Sequence, residues 1–482
     1  MSDDPAGAAV LEEILAWEDD PGEPQVTNKP AQHPRPDLGQ TPFPSEIVGD
    51  QASPGELGSP GFRYWAAADS LRRAADFWGG ICGDDAPWNE NVGAQLPVDL
   101  DHGEDFNAYY DREGLKFFHG AVDGQTFYSG ESPDVVCHEF GHAVLDSVQP
   151  QLWSVHTAEP PALHEAFGDM SAMLSSLQLE SFRKEVLSST SGRIDSSSRL
   201  SRLAEQLGWA IRQSYPQAVD PDCLRNASNY FFYRDPLTLP PSAPASSLSS
   251  EPHSFSRVFS GSFLSALAGM FLAGGDDGDS ALQQVAQDAG QLLIDAARNA
   301  PVVVSYFSQF AAHMIDADQQ RFNGRYGEAL RHGFTRHGVL SLPDASSPLA
   351  ASAPSPPLGM TGTPTRPPTS VQAPMQKVAL AGQAFGLDEH LLVHAPAASK
   401  RFNVAAAALD TGAVTEPTAE AAAAGYVEDI FRRGHVAIPE KLRGGCPVYA
   451  RSPHASHEVR RVDDNLVLVR LHFKCGWDVG GE

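Results

Sequence analysis

The chain has 482 residues, which is enough for about two to four domains and at least one sizeable core. Its 61 acidic and 34 basic residues give a formal net charge of −27. Nucleic acids and anionic membranes bind basic surfaces, so this balance argues against both as partners.

No apolar run of about 18 residues occurs, so we expect no segment that spans a membrane. The opening residues are acidic where a secretory leader is basic, which indicates that no signal peptide is present. The five cysteines are scattered and form no CxxC pair, as is typical of reduced thiols. We therefore expect a cytoplasmic protein, and leaderless export remains an open alternative.

Residues 1–60 are rich in Pro, Gly and acidic side chains and have no sustained periodicity. Such a segment buries too little apolar surface to offset the entropy of ordering, so it is predicted to be a disordered tail. Its one apolar group, from Val10 to Trp17, has the spacing of a helix. We interpret this group as a transient helix or as a docking segment for a partner.

Residues 61–342 have the composition of a globular domain, and their second half predicts helices at about 256–272, 281–298 and 302–320. A Pro-, Ser- and Ala-rich linker is predicted over 343–375. Residues 376–482 predict a small α+β domain of unknown role, with one helix from about Thr418 to Arg433 and a hairpin at Asp463-Asp464. This domain is a candidate binding site for a protein partner.

The strongest chemical motif is His138-Glu139-Phe-Gly-His142, in a segment whose Ser-Pro start and apolar positions predict a helix. Residues four apart share a helical face, so the two histidines can bind one metal ion. Glu139 is placed to act as general base on a metal-activated water. The alternative is a helix with two surface histidines.

The next predicted helix carries Glu165 and Asp169, which are again four residues apart. A catalytic zinc takes three protein ligands and leaves one position open. One of these carboxylates can therefore complete the ligand set, while the other accepts the outward N–H of a liganding histidine.

The two segments HEFGH and HEAFGD resemble the thermolysin-type zinc metallopeptidases, or gluzincins. The resemblance implies a Zn²⁺ ion held by His138, His142 and Glu165, with Glu139 as general base and Asp169 orienting His138. It also implies a two-lobed α+β core, with a mixed upper lobe and a helical lower lobe, in front of the small C-terminal α+β domain.

Three other segments are similar to the family's substrate-binding parts. Asn107-Ala108 resembles an edge strand that pairs with the backbone of an extended substrate. Arg225 resembles the arginine that holds the substrate carbonyl after the scissile bond, and His253 resembles the histidine that stabilises the oxyanion. Taken without the family, each residue has a structural role as its alternative. Glu251 is a candidate orienting partner for His253.

The resemblance implies a zinc-dependent endopeptidase that acts on a peptide or protein substrate. Cleavage before bulky apolar residues is expected because Phe127, Val135 and Leu224 resemble the wall of the family's specificity pocket. Trp153 stands nearest to the position where the family has a tyrosine, and no pro-region is visible. These departures favour an alternative, a catalytically weak or inactive protein that keeps the gluzincin fold for interactions. A metal-dependent hydrolase of a non-peptide amide is a third possibility.

Overall fold

The structure is a computed structural model that describes residues 12–24, 28–83, 87–275, 278–340, 375–396, 417–442 and 455–476. These residues form a mixed α+β protein, as the sequence predicts. The predicted linker at 343–375 lies outside the described residues except for its last position.

The α-helices of the described residues are α1 Pro60–Cys82, α2 Pro133–Val148, α3 Glu159–Ser176, α4 Glu180–Thr190, α5 Glu205–Ser214, α6 Pro252–Ala273, α7 Asp279–Asn299, α8 Tyr306–Phe322, α9 Gly327–Arg336 and α10 Ala419–Arg432. The strands are β1 Glu13–Ala16, β2 Ala31–Pro34, β3 Ser45–Ile47, β4 Leu96–Asp99, β5 Ala108–Tyr110, β6 Leu115–Phe117, β7 His119–Val122, β8 Gln125–Tyr128, β9 Arg202–Leu203, β10 Arg225–Asn226, β11 Gln376–Leu380, β12 Leu391–Ala395, β13 Val436–Ala437, β14 His457–Val462, β15 Asn465–Arg470 and β16 Phe473–Lys474.

Helices α2 and α3 pack against each other and carry the two motif segments. The Ser132 side chain caps the start of α2. A Cβ atom on Gly141 would lie 2.6 Å from Ser171 Cβ, and one on Gly168 would lie 2.6 Å from the His138 ring. The two glycines therefore allow the helices to approach closely enough for both motifs to face one site.

Helices α6, α7 and α8 confirm the three helices predicted in the second half of the central region. By length and composition, α6 is the one helix of the described residues that could cross a membrane, with a mean hydropathy of 1.3. However, 83% of that apolar stretch is buried inside the protein. Its apolar surface is thus used in the core, where Phe255 and Phe259 pack against Phe307 of α8.

The sheet beside α2 has the strand order β16-β5-β6-β4-β3 and draws strands from both ends of the chain. Strand β3 pairs in parallel with β4, and β16 pairs antiparallel with β5. The central region is therefore not complete within 61–342, because strands from both flanking regions belong to its sheet.

The prediction of a disordered tail is wrong for residues 12–24 and 28–59. Strands β1 and β2 pair antiparallel, and Ile14 and Trp17 are buried. Trp17 contacts Phe62 of α1 edge to face, with ring centroids 5.9 Å apart. Within the described part of this apolar group, Glu13–Ala16 form a strand that packs on the protein's own core, rather than a helix for a partner. Composition missed it because a few large side chains with a matching surface are enough to order the segment.

The C-terminal region forms a second sheet, in the order β11-β12-β15-β14-β13, with α10 packed on it. This confirms the α+β character, the helix and the hairpin expected there. Asp463 and Asp464 form the hairpin turn with positive φ angles of 48° and 64°. After β15 the chain leaves this sheet, and β16 joins the other one.

Candidate metal centre

The two ring nitrogens of His138 face different groups. Nδ1 lies 3.2 Å from Asp169 Oδ1 on α3. Nε2 lies 3.5 Å from Glu165 Oε2, is buried, and has no hydrogen-bond partner among the described residues. An Nδ1–H donated to the carboxylate leaves the Nε2 lone pair available to a ligand, which is the arrangement expected of a metal-binding imidazole.

His142 repeats this arrangement one helical turn later. Its Nδ1 lies 2.8 Å from His164 Nδ1, so one of the two rings donates a hydrogen bond to the other. Its Nε2 is buried, lacks a hydrogen-bond partner in the described part of the chain, and lies 3.8 Å from Glu165 Oε2. Both histidines of the motif therefore direct an unused nitrogen towards the same carboxylate oxygen.

The separations between these atoms suit a small cation. A tetrahedral zinc site with ligand distances of about 2.1 Å has edges of roughly 3.4 Å. The distances from Glu165 Oε2 to the two imidazole nitrogens, 3.5 and 3.8 Å, are close to this edge. Glu139 is a second nearby carboxylate, since its ligand atom and those of His138 and His142 all lie within 4.8 Å of one another. This buried group could hold a metal ion.

Burial dominates the electrostatics of the group. It raises the pKa of Glu139 to about 8, and it lowers the pKa of His142 well below its usual value. Burial also acts to lower the pKa of His138, but Cys475, Asp169 and other acidic neighbours outweigh it, so that pKa lies well above the usual range. A bound cation would favour an ionised Glu139 and a neutral His138, which is the opposite of these two shifts, and it would suit the already neutral His142.

Asp169 is fixed from three sides. Its Oδ1 accepts hydrogen bonds from Arg225 at 2.8 Å (Nη2) and 3.2 Å (Nε), and its Oδ2 accepts one from Ser260 of α6 at 2.9 Å. Burial alone would raise the pKa of Asp169, but Arg225 and His138 hold it well below its usual range. The ionised carboxylate can therefore hold the His138 ring in place.

His253 reaches the centre from the start of α6. Its Nε2 lies 3.2 Å from Glu165 Oε2, and its Nδ1 lies 2.7 Å from Glu251 Oε1. Glu251 also caps α6 by accepting from the Ser254 backbone N–H. Burial would lower the pKa of His253, but Glu165 and Glu251 raise it. The structure thus places Glu251 as the neighbour that the sequence suggested for His253.

The edge strand expected at Asn107-Ala108 is present, but its edge is already paired. Cys475 N donates to Ala108 O at 2.8 Å, and Gly476 N donates to Asn107 Oδ1 at 2.9 Å. Arg225 likewise donates from Nη1 to Cys475 O at 3.4 Å. The structure therefore brings the predicted metal-binding, catalytic and backbone-binding residues to one place, with residues 473–476 lying on the edge strand.

Sequence reasoning missed four contributors to the centre: His164, Ser260, Phe473 and Cys475. His164 stood inside the second motif, directly before Glu165, and its position was a usable signal. Ser260 lies two helical turns after His253, on the same face of α6. The two C-terminal residues gave no signal, because only the tertiary fold brings them to α2.

No family model matches the chain, and no curated protein matches it in sequence.

Proposed function

We propose that the protein is a zinc-dependent endopeptidase of the thermolysin-like, gluzincin type, with a two-lobed core and zinc ligands His138, His142 and Glu165. One observation carries the proposal. Two buried imidazole nitrogens without hydrogen-bond partners face one carboxylate oxygen at 3.5 and 3.8 Å. Buried polar atoms are rarely left unpaired, and a cation at this point would satisfy all three.

Glu139 suits the role of general base better than that of third ligand. Glu165 Oε2 lies 3.5 and 3.8 Å from the two imidazole nitrogens and can serve as the third ligand. This leaves Glu139, whose ligand atom lies within 4.8 Å of those of His138 and His142, free to act on a metal-bound water. Bound zinc would polarise the scissile carbonyl and lower the pKa of the attacking water. Glu139 would take the proton of that water and pass it to the leaving amine.

His253 and Arg225 would act on the substrate oxygens. With Nδ1 held by Glu251, His253 can donate a hydrogen bond from Nε2 to the oxyanion of the tetrahedral intermediate. Arg225 already donates to a backbone carbonyl, that of Cys475, which is the role expected of it towards a substrate. Asp169 would keep both His138 and Arg225 in position.

An extended peptide on the β5 edge is the proposed substrate. A small pocket is lined by Phe127 and Val135, two residues of the expected specificity wall, together with polar side chains such as Gln206. Leu224, which was expected in the same wall, is not among its lining residues. A cytoplasmic location remains a prediction from the sequence.

One observation favours the rival function, a catalytically weak or inactive interaction protein. The β5 edge is paired with β16 of the same chain, so a peptide must displace this strand before it can bind. A test of activity therefore needs a variant in which the strand is released. A Cβ atom on Gly476 would lie 2.2 Å from Phe106 O, so Gly476→Ala should lift the segment from the edge.

The decisive experiment separates metal binding from hydrolysis. We expect about one zinc per chain in the wild type and in Glu139→Gln, and none in His142→Ala, by native mass spectrometry. In the Gly476→Ala background, Glu139→Gln should lower cleavage of a peptide library by about 10²- to 10⁴-fold, because the general base is lost. Equal zinc in the wild type and His142→Ala would refute the centre. A zinc-loaded Gly476→Ala protein without hydrolysis would establish the rival.

A further inference from the structure

Residues 473–476 are bound in the way that a peptide substrate would be. The three residues predicted to hold a substrate backbone all bind residues 475 and 476. Ala108 O accepts from Cys475 N, Asn107 Oδ1 accepts from Gly476 N, and Arg225 donates to Cys475 O. Strand β16 continues this pairing along β5 in antiparallel register, with Phe473 opposite Tyr110.

The segment also fits its surroundings closely. The Phe473 ring stacks on His164 with centroids 4.0 Å apart and on His142 at 5.3 Å. Gly476 leaves no room for a side chain, since an added Cβ atom would lie 2.2 Å from Phe106 O. Residues 473–476 therefore fill the groove between β5 and the motif helix.

The Cys475 thiol lies beside Arg225, the residue that also binds Asp169. It is a free cysteine, and the residue is only 2% exposed. Arg225 Nη2 is 3.8 Å from Cys475 Sγ and 3.5 Å from His138 Nδ1, so a single guanidinium nitrogen contacts both the thiol and the first histidine.

We propose that residues 473–476 are a built-in inhibitory strand and that Cys475 Sγ is the fourth ligand of the metal. The inference rests on the proposed function. Two independent observations support it: the backbone hydrogen bonds to the groove, and the Arg225 nitrogen that contacts both the Cys475 thiol and His138, whose Nε2 is buried and unpartnered among the described residues. If the thiol bound the metal, a sulfur–metal bond would form, one metal-bound water would be released, and the thiol would lose its proton to solvent. The water that Glu139 would deprotonate would thereby be excluded.

A purely structural strand would need the pairing with β5 but no thiol at the centre. The first test therefore detects a bond between the thiolate and the metal directly. Cobalt(II) replaces zinc in the full-length protein, and a thiolate ligand then gives a sulfur-to-cobalt charge-transfer band in the near ultraviolet. We expect this band in the wild type and in Cys82→Ser, whose buried thiol lies on α1, and its loss in Cys475→Ser and Cys475→Ala.

The outcomes separate this inference from the proposed function. If cobalt binds stoichiometrically, requires His142, and gives no thiolate band in the wild type, the fourth ligand is refuted while the metal centre stands. A charge-transfer band that persists in Cys475→Ser would likewise refute Cys475 as the fourth ligand while the metal centre stands. If cobalt binds equally to the wild type and His142→Ala, the proposed function itself fails.

The second test measures inhibition. Gly476→Ala should raise peptide cleavage at least tenfold over the wild type, since the added methyl group displaces the strand. The matched control is Gly80→Ala, because a Cβ atom on Gly80 of α1 meets nothing within 4 Å. A synthetic peptide with the sequence of residues 470–476 should inhibit Gly476→Ala, and its Cys→Ser analogue should inhibit at least tenfold less. Measurable and equal cleavage by the wild type and Gly476→Ala, with zinc bound in both, would overturn the inhibitory role, whereas no cleavage by either protein would refute the proposed function.

Discussion

The close approach of α3 to the first histidine allows a sharp test of the centre through Gly168→Ala. The three atoms nearest to an added Cβ all belong to the His138 ring, at 2.6 to 2.7 Å. Ordinary contact begins near 3.4 Å, so the ring must retreat by about 0.8 Å. Metal–ligand distances tolerate only about 0.2 Å, so we expect zinc affinity to fall by about 10- to 100-fold.

The same substitution has an opposing effect on helix stability. Alanine is a better helix former than glycine by about 0.5–1 kcal/mol, whereas overpacking costs about 1–3 kcal/mol. The metal-free Gly168→Ala protein should therefore be destabilised by about 0–2.5 kcal/mol. Gly80→Ala, which meets no neighbour, should instead be stabilised by about 0.5–1 kcal/mol.

A double-mutant cycle makes the reasoning falsifiable even if Gly168→Ala folds poorly. His138→Ala removes the ring that the new methyl group would meet. On that background, Gly168→Ala should change sign and stabilise the metal-free protein, as Gly80→Ala does. Denaturant unfolding gives the stabilities, and competition with a chelator gives the zinc affinity. An unchanged zinc affinity in Gly168→Ala, or the same destabilisation on both backgrounds, would refute the proposed contact.

Two further predictions concern packing and pH. Trp17→Ala should destabilise the protein by about 3–5 kcal/mol because Trp17 fills the core beside α1. Leu57→Ala, at an exposed position, should have little effect. Equal melting temperatures of the two variants would show that packing of Trp17 does not contribute to stability. The buried His156 accepts a hydrogen bond from His394 N, and burial and Arg470 lower its pKa to about 3. Below pH 6.5 the unfolded chain gains a proton that the folded chain does not, so stability should fall with decreasing pH by up to about 1.4 kcal/mol per unit. His156→Asn keeps a hydrogen-bond acceptor for His394 N and should reduce this pH dependence of the unfolding free energy, measured in denaturant titrations between about pH 6 and 4. An unchanged pH dependence would contradict the role assigned to His156.

Other histidines lie close to His156 and also contribute to the pH dependence of the unfolding free energy. The ring lies between the central region and the C-terminal sheet, near Arg470, His394 and His457. Burial also lowers the pKa of His457 well below its usual value, with Arg470, His156, His435 and His472 acting in the same direction. A residual slope in His156→Asn is therefore expected from His457. Substitution of the exposed His332 provides the control.

The sequence predicted the motif helices because their information is local. The spacing of His138 and His142 and that of Glu165 and Asp169 each require only a helix to place two side chains on one face. The capping serine and the apolar positions supplied that helix. The close crossing that joins the two pairs depends on Gly168, whose role becomes visible only when two helices are packed.

Pairings between strands that are far apart in the chain could not be predicted from the sequence. Strand β3 joins β4 across about fifty residues, and β16 joins β5 across more than three hundred and sixty. Short strands of two or three residues carry almost no periodic signal. A tail that looked too polar to fold was therefore assigned to disorder, and strand β16 was not predicted.

Arg225 links the C-terminal strand β16 to the candidate metal centre. The sequence assigned this residue to a peptide carbonyl, and in the structure it donates to one, that of Cys475. The same guanidinium binds Asp169, which in turn contacts His138. Any ligand that competes for the Arg225 N–H groups therefore also acts on the carboxylate that orients the first histidine. Occupation of the groove and the geometry of the candidate metal centre are thus linked through one buried ion pair. Displacement of the strand should therefore change the position of the His138 ring even without a substrate.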